Sequence, residues 1–222
     1  MRRCCPILEL RQYTLHSGRR ETLIELFERE FVESQEILGM RIVGQFRDAH
    51  DENRFVWLRG FADMASRFAA LHAFYSGPVW KRHSEAANAT MVDSDNVLLL
   101  RPAHESSGFL LDGVDRPPIG ETAVTAGTVY ATIHHFKTPL AAESIERCVR
   151  STARAAKYAG VTLLASFVTD PSPNNYPALP IRDREHVFVS FSTVALEARD
   201  IDAVRKIEVL KLEPTSRSLL RG

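Results

Sequence analysis

The chain has 222 residues, with 28 basic and 28 acidic side chains and 45% apolar content. Such balanced charge lacks the signature of a nucleic-acid or anionic-membrane binder, and no apolar run approaches the roughly 18 residues of a membrane span. Three cysteines, two of them adjacent (Cys4, Cys5 and Cys148), suit neither a disulfide framework nor a thiol metal site, so a reducing cytoplasm is the expected location. The opening Met1 to Leu8 resembles a signal peptide only until Glu9 and Arg11 interrupt it, so no export is expected.

Ile7 to Leu15 alternates as a strand does, with Leu8, Leu10, Gln12 and Thr14 on one face and Ile7, Glu9, Arg11 and Tyr13 on the other. Ser17-Gly18 then turns the chain into a helix whose apolar stripe is Leu23, Leu26, Phe27, Phe31, Ser34, Ile37 and Leu38, and Gly39 stops it. Arg41 to Ala49 and Arg54 to Phe61 read as a hairpin across a short polar connection. Asp63 can cap a helix with Met64, Phe68, Leu71, Phe74 and Tyr75 on one face, followed by a short helical piece from Val79 to Ala89 and a strand from Val97 to Arg101. The order is βαββαβ, the ferredoxin-like arrangement.

Pro102 to Ala126 has no period and reads as a linker. Thereafter the order repeats: strand Thr128 to Phe136, a helix opening at Pro139 and stopped by Gly160, strands Val161 to Thr169 and His186 to Phe191, a helix over Ala195 to Leu210, and a strand from Ser216 to Leu220. The expectation is an α+β protein of two tandem ferredoxin-like units, residues 1–104 and 127–222 joined by 105–126. The halves differ in the long Pro- and Asn-rich loop after Thr169 and in the insertion around Phe74 to His83.

Three segments carry a resemblance: Glu9-Leu10-Arg11-Gln12-Tyr13-Thr14-Leu15, Phe55-Val56-Trp57-Leu58-Arg59-Gly60-Phe61 and Phe74-Tyr75-Ser76-Gly77-Pro78-Val79-Trp80. Together they resemble the NIPSNAP family. The resemblance implies a dimeric α+β barrel, here with both units on one chain forming an intramolecular barrel. It leaves activity open, because proteins of this fold include cofactor-free monooxygenases, isomerases and haem enzymes.

In the ferredoxin-like order the first and third strands are neighbours, so Arg11 and Tyr13 share a face with Trp57 and Arg59. Two guanidiniums beside aromatic rings, with Trp80 as a rim, suit a small, largely apolar molecule bearing a carboxylate, enolate or quinone oxygen. His83 or Tyr75 would handle a proton if the protein is a cofactor-free monooxygenase or isomerase acting on a phenolic or enolic substrate. The plainer reading pairs the arginines with Glu9 or with carboxylates across the barrel interface. A third possibility is a protein-interaction module with a vestigial pocket, and a homo-oligomer of the fused pair is compatible with all of these. A real site requires a cavity of about 300 Å³ or more between sheet and helices. His134 and His135 are adjacent on a strand and leave opposite faces, and no histidine pair has metal-ligand spacing, so neither metal nor cofactor is expected.

Overall fold

A computed structural model describes residues 3–123, 127–196, 198 and 201–222. Eight antiparallel strands close into a barrel: β1 (Ile7–Leu15), β2 (Arg41–Asp48), β3 (Arg54–Phe61), β4 (Met91–Pro102), β5 (Val129–Phe136), β6 (Leu163–Thr169), β7 (His186–Ser192) and β8 (Val204–Pro214). Their order around the barrel is β1-β3-β2-β8-β5-β7-β6-β4. Each half supplies four consecutive neighbours, β4-β1-β3-β2 and β8-β5-β7-β6. The halves join at two short seams, β2 with β8 through Phe46↔Pro214 to Asp48↔Leu212, and β4 with β6 through Leu100↔Thr169 to Pro102↔Phe167.

Alternation explains the two layers. One face of each strand fills the barrel, where Leu8, Leu10, Val56 and Leu58 meet Ile133, Phe167, Val189 and Phe191 in one dry core. The other face lies outside, beneath helices. In the first half these are α1 (Arg20–Leu26), a π-helical turn (Phe27–Phe31), α2 (Val32–Glu36), α3 (Met64–Ser76) and α4 (Pro78–Asn88); the second half has α5 (Ala142–Ala159). Helix ends follow local chemistry: Asp63 accepts from the Ser66 amide at 2.6 Å to open α3, and Gly160, at φ 67°, closes α5.

Several expectations need correction. The helix expected over Ala195 to Leu210 is strand from Val204 onward, while residues 197, 199 and 200 lie outside the described residues. Leu210 and Leu212 point into the core and Ile207 and Val209 outward, a period of two that a short apolar window conceals. Ser216 to Leu220 is not a strand; Leu220 donates one backbone hydrogen bond to Val43, and the segment closes an end of the barrel. The α5 helix begins three residues after Pro139.

The segment read as a linker is built into the core. Phe109 is 1% exposed, its ring centroid 5.2 Å from that of Phe167 and 5.0 Å from that of Phe191, and its carbonyl accepts from the Cys4 amide at 2.9 Å. Replacing Phe109 with Ala should therefore cost about 3–5 kcal/mol in urea unfolding, whereas Leu110→Ala, at an exposed neighbour, should cost under about 0.5 kcal/mol.

Candidate functional site

β1 and β3 run in the register Glu9↔Arg59, Arg11↔Trp57 and Tyr13↔Phe55. Opposed residues of an antiparallel pair project to the same side, so these six side chains make one patch under the first-half helices. At its centre Glu9 takes three guanidiniums. Arg11 Nη1 and Arg59 Nη2 donate to Oε2 at 2.9 and 2.6 Å, and Arg67 Nε of α3 donates to Oε1 at 2.8 Å. None of the four side chains is more than 1% exposed. Burial pushes the Glu9 carboxyl up, but Arg59, Arg11 and Arg67 outweigh it and hold the group well below the ordinary carboxylate range.

Three cations on one anion leave a buried surplus of two positive charges, which neutral groups absorb. Arg59 Nη1 donates to Gln35 Oε1 at 2.9 Å, and Arg67 Nη1 donates to the side-chain oxygens of Asn174 and Asn175 at 3.1 and 2.7 Å. Arg11 Nε donates to the Tyr13 hydroxyl at 3.0 Å. Burial keeps that phenol neutral by raising its pKa. Aromatic faces add to this: the Arg59 guanidinium lies 4.9 Å from the Trp57 ring centroid, and that of Arg11 lies 5.4 Å from both Tyr13 and Trp57.

Gln35 faces inward because of the π-helical turn. With an uninterrupted helical period, Phe27 and Phe31 would be followed inward by Ser34, Ile37 and Leu38; the wider turn advances the face by one residue, about 100°. Val32 and Gln35 are buried instead, and Ile37 is 84% exposed. On α3 the buried stripe is Arg67, Ala70, Leu71 and Phe74, with Phe68 turned outward. Asn174 and Asn175 arrive from the other half, on the β6–β7 loop. That loop straps across the first-half helices, Asn175 donating to the Met64 carbonyl at 2.6 Å and Tyr176 stacking on Tyr75 with centroids 6.1 Å apart.

Arg11, Tyr13, Trp57 and Arg59 thus come together as expected. Tyr75 and Trp80 join Tyr13 and Trp57 around a void with Phe27, Phe31 and Gln35. That void measures only about 30 Å³, room for one water, far below the size expected of an open site. His83 lies apart from it, its Nε2 3.5 Å from Glu30 Oε2 at the edge of the helical layer. Two buried polar groups beside the arginines have no partner among the described residues: Trp57 Nε1 and the whole amide of Gln45, which is the cross-strand neighbour of Trp57. Sequence reasoning missed Arg67, Gln35, Asn174 and Asn175. The one legible signal was a charge, Arg67, at a spacing shared with Ala70, Leu71 and Phe74.

The equivalent outer face of the second half carries no such charges. Thr132, Ser190 and Ser166 sit side by side across β5, β7 and β6, next to His134, whose pKa burial lowers. His135 leaves the opposite face of β5 and meets Glu185 at 2.8 Å.

Residues 8–107 match the family model described as NIPSNAP. This part of the chain is similar to NIPSNAP domains. Among solved structures, a Fusobacterium nucleatum protein provisionally named a monooxygenase aligns over 99% of this chain and 96% of its own at 10% identity, with a TM-score of 0.60. A Lactobacillus acidophilus protein of the same provisional name covers 96% and 98% at 16% identity, with a TM-score of 0.55. A NIPSNAP domain protein from Burkholderia xenovorans covers 43% of this chain and 93% of its own at 18% identity, with a TM-score of 0.40. No curated protein matches the sequence. At such identities the first two matches establish a shared α+β fold over the whole chain and nothing about chemistry.

Within the matched segment the Glu9 carboxylate is the sole anion of its cluster among the described residues, so Glu9→Gln should cost roughly 3–5 kcal/mol at neutral pH by stranding three guanidiniums. Because the folded-state pKa lies below the ordinary value of 4.5, Glu9 contributes stability that is complete above that pH and lost as pH falls below it. Thermal unfolding followed by circular dichroism should show that acid loss in the wild-type protein and a flatter profile in Glu9→Gln.

Proposed function

We propose that the chain consists of two tandem ferredoxin-like units, residues 1–104 and 127–222, and that the first binds a small, largely apolar molecule through an anionic or enolic oxygen. The carrying observation is the arginine cluster: two buried positive charges in excess of the one carboxylate it contains among the described residues, flanked by Tyr13 and Trp57, whose rings also line the small void shared with Tyr75 and Trp80. A ligand oxygen beside Arg11 would supply the missing anion, and the unpaired Trp57 Nε1 and Gln45 amide would give further hydrogen bonds. The void of about 30 Å³ is then the closed state. Entry requires Tyr75 and Trp80 to swing out with the strap that Tyr176 anchors, a lid movement of the kind that gates many sites. No helix among the described residues is long and apolar enough to cross a membrane, and a cytoplasmic protein fits this reading.

A second reading adds turnover: a cofactor-free oxygenation or isomerisation of a phenolic or enolic substrate. It is favoured by the two phenols, Tyr13 and Tyr75, that share the void, with Tyr75 placed to pass a proton. His83, set apart against Glu30, is the weaker candidate for that role.

Native mass spectrometry of freshly purified protein, followed by titration with 1-hydroxy-2-naphthoate while recording tryptophan emission, tests both readings. Binding should quench the emission saturably, and Arg11→Met should weaken it at least tenfold. Absence of both a co-purifying compound and saturable quenching, in the wild-type protein and in a Tyr176→Ala variant with the lid loosened, would overturn the proposal. Oxygen uptake or substrate isomerisation lost in Tyr75→Phe distinguishes turnover from binding.

A further inference from the structure

A cleft of about 470 Å³ opens where β4 meets β6, outside the arginine cluster. Its walls are apolar, with Leu99 from β4, Leu140 and Ile145 from α5 and its approach, Val168 from β6 and Ile181 from the strap. That volume falls within the range of small-molecule sites, about 300–1,000 Å³. The charges around it are unevenly committed. Arg182 donates to Asn96 and Glu185 at 3.1 and 2.8 Å, and Asp170 accepts from the Ser172 amide at 2.9 Å. Asp183 is exposed at the mouth. Thr169 donates to the Glu185 carbonyl and accepts from the Val187 amide. By contrast, the half-buried Arg101 guanidinium and His186 ring, both lining the cleft, have no hydrogen bond or ion pair to any described residue. Arg101 stands opposite Val168 across the seam, so the unspent cation sits at the edge of the apolar wall.

We propose that this cleft is a second binding site, for a small monocarboxylic acid whose apolar body lies on the Leu, Ile and Val wall and whose carboxylate pairs with Arg101. A guanidinium fork matches a carboxylate with two parallel hydrogen bonds, and His186 can donate a third. A neutral apolar ligand would leave that fork unpaired, so the cleft selects for the acid. The strap lines this cleft with its ends, Asp170–Pro173 and Ile181–Asp183, and covers Arg67 with its middle.

Isothermal titration of the full chain with 4-phenylbutyrate and, separately, with its uncharged amide tests this assignment. The acid should bind at least tenfold more tightly than the amide. Arg101→Met should abolish that preference, and Leu140→Trp should block binding by filling the cleft. Equal binding of acid and amide, binding indifferent to both Arg101→Met and Leu140→Trp, or no binding at millimolar concentration would each overturn it.

Discussion

Burying a carboxylate costs several kcal/mol, and burying three guanidiniums costs several more for each; only mutual contact with complete hydrogen bonding makes such a group tolerable. Glu9 sets this constraint on the first half. The β1–β3 register brings Arg59 opposite it, and α3 must lie close enough for Arg67 to reach the second carboxylate oxygen. Because one carboxylate cannot satisfy three cations, neutral acceptors must come from elsewhere. The π-helical turn delivers Gln35, and the second half delivers Asn174 and Asn175. The placement of two helical segments and of a loop more than a hundred residues away thus follows from one buried charge.

The barrel interior works by a different principle. Its centre is held by apolar side chains, with ionisable groups such as Asp48 and His135 only toward the strand ends, and the β4–β6 seam gains support from the segment leading to Phe109, where Ser107 and Ser166 exchange hydrogen bonds. The covered outer faces differ. The first half buries ionised groups under a thick helical layer, while the second places hydroxyls and a neutral histidine under α5 alone. Where no helix of the described residues covers β8, Ile207 and Val209 stay partly in water.

Much of the architecture could be read from alternation and punctuation. Period two in Ile7 to Leu15, the Asp63 cap, and the stops at Gly39 and Gly160 are local signals, and the structure agrees with them. So is the grouping of Arg11, Tyr13, Trp57 and Arg59, because strand parity alone decides it, and their pairing with Glu9 follows from the same parity. Features that depend on distant contacts were not legible. The π-helical turn changes helical phase without any composition cue, which misassigned Ile37 and concealed Gln35. Val204 to Leu210 offers apolar residues at a helical spacing while its strand pairing with β5 decides the outcome. Nothing in a Pro- and Asn-rich loop announces that it will reach Arg67 on the opposite half.

That loop carries an evolutionary consequence. The charge lies in one half and part of its cover in the other, so a symmetric pair built from either half alone would hold two bare clusters or two straps with nothing beneath them. Joining both on one polypeptide permits a division of labour that identical chains cannot encode: one half buries the charges while the other supplies part of their cover.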